Sequence, residues 1–417
     1  MFSKRRVFRL CLAVPLAIAV ACEQSAERSI APGGDDSAVP HQLQPDVAAI
    51  ALTVADVEQL YSAVNDPANE GAAITLAAGT YVLSAKDAEG VARPNAGRLE
   101  LQQDMSLFGV TDDRSAVVID ATGLPASSVT DPQPQQSTNR TAPVRIGRGS
   151  NTIEWLTVLG SPAAAAGIAA ELGGTPSTRI RVAHVVSGGT SRGIDVRSGG
   201  ASMAGRRVDA EIVDNELFGP TQVVGNSEGI RLSNFVGADG GVIVAMLSGN
   251  RVHGFQLGCV VSNNRSSNAT VNVRSSGDRF FGNGHGCDIV GGLVTQATGG
   301  ANSNSTKFEA HGSQFVDNTI NGAESGGVFV VGGQSGIQAN ATSDNTVLVA
   351  LWGSKVSDNL GVNFRATGAN QNPRSGLAGT NNHVTIELHG VSKQIDVQAT
   401  ASLPVDLTGT NTVTVIR

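Results

Sequence analysis

Charge and large aromatic rings are both scarce in this chain of 417 residues. Only 16% of residues are charged and 4% are aromatic, with two Trp and two Tyr. So little charge excludes a coiled coil and a charge-driven disordered chain. So few large rings argue against an aromatic platform for stacking sugars. Cysteine is equally sparse. Cys11 and Cys22 lie near the N-terminus, and Cys259 and Cys287 lie far downstream without CxxC spacing or a neighbouring His cluster, which excludes a zinc site. No apolar run approaches 18 residues, so the sequence offers no transmembrane helix.

Glycine, by contrast, is abundant, at 51 residues. It follows no G-X-Y period, which excludes collagen and points to many turns. The net charge is -7. An acidic surface repels phosphate, which argues against nucleic acid or an anionic membrane as partner.

Lys4, Arg5, Arg6 and Arg9 precede an apolar run from Leu10 to Ala21. The run is too short to span a bilayer and suits a secretory signal over residues 1–21. The sequence Ala19-Val20-Ala21-Cys22-Glu23 resembles a bacterial lipobox, which implies acylation of Cys22 as the first mature residue. Ala19 departs from the Leu favoured there, so ordinary cleavage after Ala21 is the alternative. Residues 22–47 are polar and aperiodic and read as a disordered tether. Residues 48–417 form the expected folded domain. Val54, Val57, Leu60, Tyr61 and Val64 predict a short helix capped by Thr53 and stopped at Asn65-Asp66-Pro67. Residues 72–83 (AAITLAAGTYVL) predict an alternating strand.

From there the chain repeats. Gly167, Gly193, Gly229, Gly258, Gly286, Gly327 and Gly361 each open a short apolar alternation, at a mean spacing of about 32 residues. Ile168, Ile194, Ile230, Cys259, Cys287, Val328 and Val362 follow them directly. Two residues on come Ala170, Val196, Leu232, Val261, Ile289, Val330 and Phe364, while the position between varies freely. A second column runs in step. Gly249, Gly277, Gly312, Gly353 and Gly390 close strands such as Ile243-x-Ala245-x-Leu247, with Asp214 in the same place one coil earlier. Leu217, Val252, Phe280, Phe315 and Val356 recur just after this turn, and Lys393 breaks their column in the last coil. Asn283, Asn318 and Asn359 recur where the chain turns between the columns, as side-chain ladders do. Two strand columns separated by irregular loops describe a solenoid, whose coils bury their apolar faces only by stacking. Strand columns without helical period favour an all-β parallel β-helix of roughly ten coils, a rod near 50 Å long at about 4.8 Å per coil. The short helix would cover its first open edge.

From about Thr53 to Leu124, and in the Gly-apolar-x-apolar columns, the sequence resembles right-handed parallel β-helix proteins of the pectate-lyase-like superfamily. The resemblance spans about 350 residues. It implies fold rather than function, since such proteins include lyases, hydrolases, esterases and adhesins.

Gly284-His285-Gly286 matches the G-H-G loop of polygalacturonases of this fold. The acidic pair is missing, since Val260 and Val261 stand on the preceding coil, and no R-x-K follows. His285 therefore reads as a surface residue before a turn. Lyases of the superfamily use clustered acids for Ca2+ and an Arg or Lys as base. The closest match is Asp195 and Arg231 as stacked neighbours with Arg197 beside them, then Arg274, Lys307 and Glu309. Both groups read better as cross-strand charge pairs than as a cation cage. His311, Trp352 and His389 share a column that could stack a sugar or cover an apolar corner. Cys259 and Cys287 share an inward position, where reduced, buried thiols are favoured over a disulfide. Residues 126–142, 294–305 and 366–380 are polar excursions able to rim a cleft.

The expected protein is an exported, lipid-anchored envelope rod, or otherwise a secreted one. Its expected role is structural or glycan-binding without catalysis. Its partner is a polysaccharide or other surface component, and it meets the membrane only through the anchor. No cofactor is expected. The alternative is a polysaccharide lyase or glycoside hydrolase, with Ca2+ only under the lyase reading.

Overall fold

The computed structural model describes residues 50–125, 141–146, 148–172, 177–199, 203–221, 227–294, 300–320, 325–335, 342–371, 379–391, 397–403 and 411–417. All belong to the compact unit Val47–Arg417. The expected leader, Cys22, the tether, residues 126–140 and Lys393 lie outside them.

The described strands form parallel sheets of twelve, ten and nine strands, and a full coil, such as Val242–Ser248, Arg251–His253 and Leu257–Asn264, contributes one strand to each. The fold is a right-handed parallel β-helix, as the repeats require. One strand set in register runs Arg207–Val213, Val242–Ser248, Thr270–Ser276, Ser305–His311, Thr346–Trp352 and His383–His389. Its inward residues, such as Ile243, Ala245 and Leu247, are fully or nearly buried and belong to one continuous core from Val54 to Leu388.

Two columns were legible and three sheets are present. The third consists of strands of three or four residues, among them Arg251–His253, Arg279–Phe281 and Gln314–Val316. In each three-residue strand only the central residue points inward: Val252, Phe280 and Phe315. One inward residue per coil is too few to show an alternation.

The turn column after the twelve-stranded sheet has a backbone cause. Gly249, Gly277, Gly312, Gly353 and Gly390 all have φ between 56° and 67°, and Asp214 sits at 50° in the same place. This left-handed region costs a side chain energy, so Gly dominates there and Asp is tolerated. The first column has a different cause. A Cβ on Gly229 would lie 2.1 Å from Val252 Cγ1 and 2.5 Å from the Gly258 carbonyl oxygen, so close coil packing excludes a side chain.

Gly361 does not belong to that column. Val328 pairs with Phe364 and Val330 with Ala366, two residues beyond the expected register, and Asn363 stands opposite Gly327. A shift of two preserves the inward-outward alternation, so apolar patterning alone cannot detect it. Asn363 instead accepts at 2.9 Å from Asn359 Nδ2, which ties it to the corner. The N-terminal expectation also shifts. Thr53 and Val54 belong to the strand Ile50–Val54, paired with Ala72–Leu76. The helix begins at Val57, capped by Asp56, whose carboxylate accepts from Gln59 N at 2.8 Å, while Gln59 Oε1 accepts from Ala55 N. Residues 72–83 break into two strands, Ala72–Leu76 and Gly79–Val82, in different sheets.

Side-chain ladders fix each corner. Asn283 N donates to Asn318 Oδ1 and Asn318 N to Asn359 Oδ1, both at 3.0 Å. Two further ladders were not read from the sequence. Asn304, Asn345, Asn382 and Asn411 form one at a second corner. Asn215, Asn250 and Asp278 form the other, continued by Ser313 and Ser354. Each amide satisfies buried main-chain groups that the turn leaves without a sheet partner.

Asp278 is the one carboxyl in that last ladder. Burial pushes it up to about 6, against the opposing pull of bonds from Ser275 Oγ and from Asn250 N and Nδ2. The folded value lies above the unfolded one. Stability from this group is therefore complete below about pH 4 and lost as pH rises to about 6. An amide can take the same place, as Asn250 does one coil earlier. Asp278→Asn is expected to raise stability at pH 7 by up to about 3 kcal/mol and to show a smaller gain near pH 4. Urea unfolding at the two pH values checks this, and equal gains at both would refute it.

Candidate active site on the outer face of the ten-stranded sheet

The outward residues of the ten-stranded sheet stack one per coil. Glu100, Arg145, Ala169, Asp195, Arg231, Val260, Asp288, Phe329 and Arg365 form one row in register. Arg365 occupies the place that the slipped register had given to Asn363.

The trio Asp195, Arg197 and Arg231 is brought together, and two partners missed in the sequence join it. Asp195 accepts from Arg197 Nε at 3.1 Å, and its other oxygen lies 2.9 Å from Arg197 Nη2 and 3.5 Å from Arg192 Nε. Glu228 accepts from Arg192 Nε at 2.7 Å and from Arg231 Nη1 at 3.1 Å. Arg192 and Glu228 pair in register just ahead of the row, where the Gly column had drawn attention to glycine alone. The trio is buried, with Asp195 at 0% and Arg231 at 8% exposure. Burial works to raise the Asp195 carboxyl, but facing Arg197, Arg192 and Arg231 hold it below its ordinary value. Burial, with repulsion from Arg197 and Arg192, lowers Arg231 despite Glu228. Such a network lies out of reach of a polymer and ties coils together.

These carboxylates also do not suit Ca2+. A hard divalent ion takes six or more oxygens, whereas Asp195 and Glu228 are already shared between guanidiniums. Among the described residues no three His, Cys, Asp or Glu side chains converge as a metal site.

Two coils beyond Arg231 the same face opens into a cavity of about 200 Å³, lined by His285, Asp288, Val290, Phe329, Val331, Gln334 and Arg365. His285 Nδ1 lies 2.8 Å from Asp288 Oδ1. Its ring stacks on Phe329 at 4.0 Å between centroids and 2° between planes. The Arg365 guanidinium lies 5.0 Å from the Phe329 centroid. Gly326 makes the stack possible. It is the register partner of His285, and a Cβ there would lie 2.0 Å from the Phe329 ring. His285 is thus a fixed imidazole in a cavity wall. Its G-H-G setting was visible in the sequence. The partners that position it come from three coils, and no local spacing joins them.

The other candidates lie on the twelve-stranded sheet. Arg274 and Glu309 are register neighbours, but the ion pair is Lys307 to Glu309 at 2.8 Å and Arg274 is exposed. His311, Trp352 and His389 do form one ladder. Trp352 lies 3.7 Å from His389 and 6.1 Å from His311, at 14° and 5° between planes. Imidazoles flank both faces of the indole, so a sugar could reach mainly its edge.

Cys259 and Cys287 pair in register, both buried and both free thiols. Burial, with Cys259 beside it, pushes the Cys287 thiol well up. Of the excursions, residues 366–371 and 294 lie in the strands Val362–Gln371 and His285–Val294, and Ser305 opens the strand Ser305–His311. Residues 295–299 and 372–378 lie outside the described set.

No family model and no curated protein matches the sequence. Among solved structures, the chain is similar to the A-module of mannuronan C-5 epimerase AlgE6 of Azotobacter vinelandii. Identity is 14%, TM-score 0.35, and 84% of this chain and 95% of that one are covered. The AlgE4 A-module of the same organism gives 14%, 0.34, 87% and 100%. The catalytic domain of a GH87 alpha-1,3-glucanase in complex with nigerose gives 12%, 0.31, 90% and 69%. Similarity this distant carries nothing about what the chain binds.

Proposed function

We propose that the protein is an exported, lipid-anchored rod that binds a polysaccharide on the outer face of its ten-stranded sheet, holding one sugar unit in the cavity at His285. The observation that supports this is the cavity itself, which is part-apolar, with a few convergent polar groups fixed on a rigid sheet. Val290 and Val331 offer an apolar floor. Arg365, Gln334 and His285 offer donors at its rim, and Asp288 an acceptor. A sugar ring carries both apolar C–H faces and hydroxyls and so fits such a wall.

A second reading rests on the His285–Asp288 pair. A carboxylate that holds one ring nitrogen fixes the orientation of the imidazole, the arrangement of a general acid or base. Under that reading the rod is a polysaccharide lyase or hydrolase, and Asp288 is a positioning residue.

Titration against a panel of neutral and acidic glycans tests the binding reading. At least one glycan should bind, and Arg365→Ala should weaken it by about tenfold or more. No bound glycan, or unchanged affinity in the variant, would overturn it. Ultraviolet and reducing-end assays on the same panel test the second reading. Any turnover should vanish in His285→Ala, and turnover that survives there would rule out His285 as the catalytic group. The anchor is tested separately. Radioactive palmitate should label the expressed protein and not its Cys22→Ala variant, and an unlabelled wild type would mean ordinary cleavage.

A further inference from the structure

We propose that a second cavity, where the C-terminal end of the helix meets the first coils, is a binding site for a neutral sugar unit. The site stands apart from the His285 cavity and needs nothing from it.

This cavity measures about 330 Å³ and is larger than the one at His285. Val64, near the end of the helix Val57–Asn65, and Leu101, just after the strand Leu99–Glu100, close its back. Both are almost wholly buried, so they shape the cavity. The rest of the lining is polar. Four of those six residues are carboxamides, Asn65, Asn95, Gln102 and Gln103, and they stand beside Glu100 and Arg148.

Much of the hydrogen-bonding capacity there is unspent among the described residues. Gln102 Nε2 donates to the Val64 and Asp66 carbonyls at 2.7 Å each, which fixes Gln102 against the helix end and leaves its Oε1 without a described donor. Gln103 spends Nε2 on Asp104, and Asn65 spends Nδ2 on the Tyr61 carbonyl, so each keeps its amide oxygen. Glu100 gives one oxygen to Arg145 at 3.0 Å and keeps the other. The side chains of Asn95 and Arg148 make no hydrogen bond to a described residue. Asn95 is also held against its backbone preference. Asn95 and Ala96 both take left-handed conformations, at φ of 52° and 50°. Only glycine adopts that region freely, and residues kept there cluster at binding sites.

The chemistry of the lining selects the ligand. A carboxamide offers a donor and an acceptor side by side, and a hydroxyl is both at once. A wall of unspent amides therefore fits a molecule dense in hydroxyls and without charge. An anion would meet Glu100, and a cation would meet Arg148. Among the described residues no three acids, His or Cys converge to hold a metal ion instead.

The test uses the whole protein carrying Arg365→Ala, which disables the His285 cavity, so that the two sites fail separately. Calorimetric titration with cellohexaose, laminarihexaose and mannohexaose should give saturable binding near one per chain for at least one of them. Arg148→Ala in that background should weaken the binding by about tenfold or more. Asn95→Gly should weaken it as much, and its Tm should not fall, because the backbone there suits glycine. No saturable heat from any of the three, affinity unchanged in either variant, or tighter binding of a galacturonate hexamer than of every neutral one would overturn the proposal.

Discussion

Every coil depends on lying in register with the next. A parallel sheet closed into a helix has no hairpins to set its pairing, so register must come from elsewhere. Here it comes from buried amides at the corners. Asn283, Asn318, Asn345 and Asn382 each accept a main-chain N–H from the coil before and donate to a carbonyl or to the next rung. An offset by a single coil position would leave these buried groups unpaired, at a cost of about 1–3 kcal/mol each. Apolar packing makes the coils adhere, and the ladders decide how they align.

The outer face inherits this order. His285, Phe329 and Arg365 stand on three consecutive coils and meet only because register is kept. The aromatic stack also needs the absent Cβ of Gly326. The buried ion network uses the same rule one stretch earlier, with Arg192 and Glu228 as register partners. A rod of this kind builds a site by aligning single residues from successive coils, which is why its few charged residues can still cluster.

Much of this was legible in the sequence. The inward columns from Ile168 to Val328 and from Val208 to Val384 pair as their spacing implied, and the Asn283 ladder is present. The losses have specific causes. Gly361 was misplaced because a shift of two leaves the apolar pattern intact. The third sheet was missed because one inward residue per coil shows no alternation. Thr53 was assigned to a cap because its strand is recognisable only through its partner at Ala72–Leu76. His285 was read as a plain surface residue because Asp288, Phe329 and Arg365 give it meaning only in three dimensions. The ladders through Asn345 and Asn250 were overlooked because irregular loops hide their spacing.

The central claim is that corner amides hold the coils in register, and Asn345 tests it most directly. It is fully buried, accepts from Asn304 N at 3.1 Å, and donates from Nδ2 to the Ala301 carbonyl at 3.0 Å and to Asn382 Oδ1 at 2.9 Å. Urea unfolding should show Asn345→Ala destabilised by about 1–3 kcal/mol, while Gln314→Ala, exposed on a strand of the nine-stranded sheet, stays within about 0.5 kcal/mol of wild type. Equal, small effects for both substitutions would contradict the account.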